Sequence, residues 1–265
     1  MKVIVGNEEA ISRLIAEEFI QTIHAKPHAV LGFATGTSPL KVYADLIQAN
    51  QEGKVTFQGC SSFNLDEYVG LEGSDAQSYR YFMNKNLFDH IDINKDKTHV
   101  LLGVGDYQSY MSHYDEMIEK AGGIDIQILG IGSDGHIAFN EPGTSFDSLT
   151  HETELAPSTI KDNSRLFHDI SEVPTRAVTM GLKSIMNARK IVLIATGKNK
   201  AKAIYGLLKG PVSEAMPCSI LRNHPDVTIY VDEEAYSLIR YPYHLLTPHQ
   251  QGGVFFLIQI KSIVI

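Results

Sequence analysis

Tryptophan is absent from the 265 residues, and cysteine nearly so. The two cysteines, Cys60 and Cys218, stand far apart without CxxC spacing. That argues against a disulfide framework or a zinc site and leaves two ordinary buried thiols as the expectation. Apolar runs of membrane-spanning length are also missing: the stretch from Val254 to Ile265 is strongly apolar, but it is short and interrupted by Gln259 and Lys261. It reads as an edge strand or a non-native extension. Met1-Lys2-Val3-Ile4-Val5 lacks the apolar stretch and cleavage site of a secretion signal, so a cytoplasmic location is expected. Positive charge is in deficit, with 23 Lys and Arg against 31 Asp and Glu and a formal net charge of -8. Such a surface repels polyanions, which argues against nucleic acid and acidic membranes as partners. A small anionic substrate then requires local Lys, Arg and backbone N–H groups that overcome the global field.

What is present is a regular alternation. Strand-length apolar runs occur at Ala29 to Ala34, Ser61 to Leu65, Ile124 to Gly130, Ile191 to Thr196 and Val227 to Val231. Between them, Ile11, Leu14, Ile15 and Phe19 follow the 3.6-residue period of an amphipathic helix, as do Leu40, Val42, Tyr43, Leu46 and Ile47, and Ala203, Ile204, Leu207 and Leu208. This pattern predicts a single α/β domain with a mostly parallel sheet and helices on both faces, with ligands at the carboxyl ends of the strands.

Chemistry concentrates in the run Leu129-Gly130-Ile131-Gly132-Ser133-Asp134-Gly135-His136-Ile137-Ala138-Phe139-Asn140-Glu141-Pro142, which sets two acids and an imidazole after an apolar strand. Three proton-transfer groups on one loop suggest general acid–base work. Gly130-x-Gly132-x-x-Gly135 also satisfies a dinucleotide fingerprint, but Asp134 would repel a pyrophosphate, and Pro142-Gly143 fall where a long helix should run. Nicotinamide and flavin binding are therefore not expected. Thr35-Gly36-Thr37-Ser38-Pro39 follows another strand, with Pro39 suited to the first position of a helix. It reads either as a phosphate cradle or as a plain capping turn, since both use the same residue types. In Phe63-Asn64-Leu65-Asp66-Glu67-Tyr68 adjacent side chains diverge, so one acid points into the crevice; the bland alternative is a surface pair in a first helical turn. Arg165 and Lys200 are candidate cations for an anionic group; a lone Arg or Lys is more commonly solvated surface, and Lys200 is favoured by its place at a strand-to-helix junction.

Together, Phe63 to Gly70, Gly132 to Gly143, Ala34 to Pro39, Asn163-Ser164-Arg165 and Thr196 to Lys200 closely resemble the glucosamine-6-phosphate deaminases. The resemblance implies a single domain of modified Rossmann type over residues 1–239, with residues 240–265 a tail to which no function attaches. It implies a phosphosugar substrate, glucosamine 6-phosphate, converted with water to fructose 6-phosphate and ammonia, in amino-sugar catabolism and without a metal or organic cofactor. Carried over by position, the enolisation base falls on Asp66 and the ring-opening group on His136, assisted by Asp134 and Glu141. The phosphate contacts fall on Thr35, Gly36, Thr37, Ser38, Arg165 and Lys200. Activator-responsive members carry an Arg and a Lys where this chain has His151 and Thr153, so activation by N-acetylglucosamine 6-phosphate is not expected. The alternatives are a 6-phosphogluconolactonase-like enzyme and a non-catalytic phosphosugar sensor; the complete set of acids and the Asn-Leu-Asp-Glu-Tyr motif favour the deaminase. As a metal site, Asp134, His136 and Glu141 form a weak ligand set. Self-association is compatible with the sequence.

Overall fold

Asn7 starts the first helix by accepting the Ala10 N–H on its side chain at 2.8 Å, and the apolar stripe that follows is drawn onto the sheet. The computed structural model describes residues 1–164, 167–239 and 254–259. In chain order the strands are β1 (Lys2–Gly6), β2 (Val30–Phe33), β3 (Ser61–Asn64), β4 (Asp66–Tyr68), β5 (Thr98–His99), β6 (Ile126–Leu129), β7 (His151–Glu154), β8 (Arg176–Thr179), β9 (Ile191–Ala195), β10 (Val227–Val231) and β11 (Val254–Gln259). The helices are α1 (Glu8–Ala25), α2 (Leu40–Gln51), α3 (Tyr79–Asn86), α4 (Tyr107–Lys120), α5 (Pro157–Asn163), α6 (Leu182–Met186) and α7 (Ala201–Lys209).

The main sheet has the order β11-β1-β10-β9-β6-β2-β3-β5, parallel throughout except for β11, which pairs antiparallel with β1. Every residue of β2, β6, β9 and β10 is buried, as strands covered on both faces must be. The predicted helical stripes supply cover: Ile11, Ile15, Phe19, Val42, Tyr43, Leu46, Ala203, Ile204, Leu207 and Leu208 all lie in the core. Both cysteines are free and buried, as expected. The pairing of Val254–Gln259 is that of an edge strand; the rest of residues 240–265 lies outside the described residues. No helix among the described residues is long and apolar enough to cross a membrane.

The strand order reverses between β2 and β6. From β2 the chain builds outward through β3 and β5; from β6 it builds the other way through β9 and β10. The carboxyl ends of β3, β2, β6 and β9 therefore lie side by side at a topological switch point, where crevices open in such sheets.

One feature was not foreseen. A second, three-stranded antiparallel sheet, β4-β8-β7, sits beyond the tip of β3. The chain changes sheets at Leu65, whose N–H donates to the Phe33 carbonyl at 3.3 Å while its own carbonyl accepts the Met180 N–H at 2.7 Å. Asp66 consequently opens a new strand, and the reading of Asp66-Glu67 as a surface pair in a helical turn does not hold: the two are 6% and 1% exposed.

Candidate active site

The turn after β2 is shaped by Gly36, whose φ of +92° strains any other residue. Tyr43 of α2 ties its start, accepting the Ala34 N–H at 3.2 Å and donating to the Ala34 carbonyl. Helix α2 begins at Leu40, with Pro39 as the residue before it, one position later than predicted. Thr35, Gly36, Thr37 and Ser38 line a cavity of about 360 Å³ in front of that helix end, where N–H groups and the helix dipole favour an anion. Lys200, in the short 3-10 turn after β9, lines the same cavity. Its loop is held by Asp232, which accepts the Gly197 N–H at 2.9 Å. Arg165 lies outside the described residues.

The loop after β6 closes on itself through the Gly132 N–H donating to the His136 carbonyl at 2.8 Å and the Gly135 N–H donating to the Gly132 carbonyl at 3.1 Å. A Cβ on Gly132 would fall 2.3 Å from the His136 ring, so the imidazole occupies the space that glycine leaves open. His136 Nδ1 stands 2.8 Å from Asp134 Oδ1 and 3.4 Å from Glu141 Oε2. Burial alone would push the imidazole down, but the two carboxylates outweigh it and hold His136 up at about 9. The bond from His136 is the main reason Asp134 is held down at about 2. Glu141 also titrates below its ordinary range, because His136 and the Thr159 hydroxyl outweigh its burial. Asn140 anchors this stretch, donating to the Ile137 and Met180 carbonyls at 2.9 and 2.8 Å. Past Gly135 the chain runs through turns rather than a helix, so the context that the dinucleotide fingerprint needs is missing.

Asp66 reaches the cavity from β4. Burial and the neighbouring Glu67 charge push its carboxyl up to about 8, against an opposing pull from His136. Glu67, on the opposite face of the strand, accepts the N–H groups of Tyr68, Tyr79 and Arg80 at 2.8, 3.0 and 3.0 Å. Burial pushes Glu67 up to about 7 in spite of those donors and the Arg80 charge.

The cavity thus joins Asp66, His136, the Thr35 to Ser38 turn and Lys200, with Asp134 and Glu141 against the imidazole. Tyr79, Thr159, Asn163 and Asn199 line it too, and the sequence assigned none of them to the site. Asn199 adjoins Lys200 and could have been found by that adjacency. Asn163 belongs to the Asn163-Ser164-Arg165 motif, though it was not assigned to the site; Tyr79 and Thr159 arrive on α3 and α5, which fold over the cavity from elsewhere in the chain, and no local motif marks those two. Thr159 donates to Glu141 Oε1 at 2.6 Å, and Asn163 to the Tyr68 hydroxyl at 2.8 Å. Tyr68, Phe139, Leu155 and Ala177 form a small separate core beneath α5. Asp134, His136 and Glu141 bring ligand-type atoms within 4.8 Å of one another, as a metal site would. Both carboxylates, however, approach the same ring nitrogen, an arrangement that suits a proton held between acids.

Comparison with known proteins gives a consistent result. Residues 7–230 match the family described as glucosamine-6-phosphate isomerases/6-phosphogluconolactonase. A glucosamine-6-phosphate deaminase of Mycoplasma mycoides is 51% identical over 238 residues, covering 89% of this chain and 97% of its own. One from Thermoanaerobacter pseudethanolicus is 50% identical over 241 residues, covering 90% and 95%. Among solved structures, a monomeric glucosamine-6-phosphate deaminase superposes with a TM-score of 0.88 at 42% identity, over 90% of this chain and all of its own. A 6-phosphogluconolactonase from Trypanosoma cruzi superposes with a TM-score of 0.69 at 20% identity, over 90% and 97%, a likeness of fold alone.

Proposed function

The chain belongs to the family of glucosamine-6-phosphate isomerases and 6-phosphogluconolactonases, and from that premise we propose that it converts glucosamine 6-phosphate and water to fructose 6-phosphate and ammonia in this cavity. The observation that carries the reading is a single hollow shared by a phosphate grip, a buried carboxyl and an imidazole between two acids. The substrate phosphate rests on the Thr35 to Ser38 turn and Lys200, joined by Arg165. Short, partly desolvated contacts of this kind hold a dianion even on a chain of net charge -8.

His136 moves a proton between the anomeric hydroxyl and the ring oxygen, opening the pyranose to the aldehyde, while Asp134 and Glu141 stabilise its cation. Asp66 takes the proton from C2 and returns it at C1, while the aldehyde oxygen gains a proton and the nitrogen gives one up. The carbon bearing nitrogen becomes an imine, water adds to it, and the C–N bond breaks to leave a ketone and ammonia. A carboxyl raised by burial has the basicity that removing a C–H proton demands, and it must be ionised to act.

Incubation with glucosamine 6-phosphate and assay of released ammonia tests the reading. Hydrolysis of 6-phosphogluconolactone with no ammonia from the amino sugar would replace it with the lactonase alternative.

A further inference from the structure

Resting on the deaminase reading, we propose that Glu67 is a positioning residue for the base: its buried carboxylate bolts the start of α3 to β4, fixing Asp66 toward the cavity and holding a negative charge beside it.

The geometry carries this. The first turn of a helix leaves N–H groups without intrahelical acceptors, and burial makes each costly to leave unpaired. In α3 the Ser78 side chain accepts the Tyr81 N–H at 3.0 Å, while Glu67 accepts those of Tyr79 and Arg80, one on each oxygen. Glu67 Oε1 also accepts the N–H of Tyr68. Both oxygens are therefore acceptors, a demand that only the ionised carboxylate meets. An amide of the same shape would turn an NH2 group on one of those donors.

The clamp joins two walls of the cavity. Asp66 and Glu67 project from opposite faces of β4, so a restraint on one sets the strand's rotation and hence the aim of the other. Tyr79, the first residue of α3, lines the cavity and stacks on Phe139 with centroids 6.0 Å apart. Holding the Tyr79 N–H thus places that wall as well.

Among the described residues, the groups facing the acid pair are few. Arg80 comes from α3, with its guanidinium donating to Thr98 at 2.8 and 2.7 Å; the Tyr68 and Tyr79 hydroxyls lie nearby; Tyr114 comes from α4; and His136, with Asp134 and Glu141, comes from the loop after β6. Of the carboxylates, Glu67 is the one whose charge opposes ionisation of Asp66. Three N–H donors favour the ionised form of Glu67, and its charge raises Asp66, so the two carboxyls titrate as a coupled pair.

The test compares kcat/KM against pH for ammonia release by the wild-type chain, Glu67→Gln and Glu67→Asp. Glu67→Gln is expected to lower kcat and to move the acid limb down by about one pH unit or more, because a like charge beside the base is gone. Glu67→Asp keeps the charge and shortens the reach; its acid limb is expected to stay near that of wild type while kcat falls. An unmoved acid limb in Glu67→Gln overturns the proposal, since a purely structural role would lower activity without shifting the profile. Should that variant not fold, carboxyl titrations followed by 13C NMR in the wild-type chain decide: Glu67 ionising below Asp66 supports the proposal, and the reverse order overturns it. A wild-type chain that releases no ammonia defeats the deaminase reading, and the NMR titration then decides Glu67 by itself.

Discussion

The hydroxyl of Thr159 donates to Glu141 Oε1 at 2.6 Å, joining α5 to the acid that faces His136. A hydrogen bond to a charged group is worth about 1.5–3 kcal/mol. Thr159→Val removes the donor and leaves the Glu141 carboxylate short of a partner, so kcat/KM is expected to fall about tenfold or more and the melting temperature by a few degrees. Steady-state kinetics and a melting curve check both halves.

For Asp66→Asn, phosphosugar binding is expected to survive while solvent exchange of the C2 proton drops by about 10²–10⁴. Deuterium incorporation read by NMR, with calorimetric binding of fructose 6-phosphate, separates the two. Unchanged exchange would place the base elsewhere.

Asp66 also predicts a slope in stability. Its folded-state value near 8 lies above the ordinary carboxyl value of 3.8, so the native state binds this proton more tightly and loses stability as pH rises from about 4 to 8. His136, raised from 6.5 to about 9, contributes stability that is full below 6.5 and is lost as pH climbs through 9. Both act in one direction, so denaturation midpoints should fall toward alkaline pH. Asp66→Asn should flatten the part below pH 8, and His136→Gln the part above 6.5.

Gly132→Ala is expected to leave the fold intact and cut turnover by about 10²-fold, because the added Cβ would sit 2.3 Å from the His136 ring and displace it. Binding of the phosphate group, on the neighbouring strand tips, should change little. A variant with normal turnover would show that the ring position is not critical.

Hyperbolic kinetics with glucosamine 6-phosphate, unaltered by N-acetylglucosamine 6-phosphate, are expected from His151 and Thr153 on β7. A sigmoidal curve abolished by that sugar would contradict the expectation. Full activity after exhaustive chelation is expected in the same assay, because His136 Nδ1 already faces Asp134 and Glu141.

Much was legible in the chain. The strand runs through Val30–Phe33, Ile126–Leu129, Ile191–Ala195 and Val227–Val231 are apolar because those strands are covered on both faces, and burial writes itself into composition. The loop glycines were visible for a similar reason: Gly36 and Gly135 hold positive φ, which few other residues tolerate. Asp134, His136 and Glu141 lie within eight residues of one another, so their association is local.

Long-range geometry decided the rest. Nothing in Asn64-Leu65-Asp66 announces a change of sheet, because the handover at Leu65 depends on Phe33 and Met180, residues 32 and 115 positions away. The neighbourhood of Asp66 and Glu67, and with it their titration, depends on α3 and the loop after β6. The sequence alone determined which groups can carry protons and hold a phosphate, since those are properties of residue type and short spacing. Only tertiary structure decided which of them share one hollow, because desolvation and charge–charge coupling act through space between segments far apart in the chain.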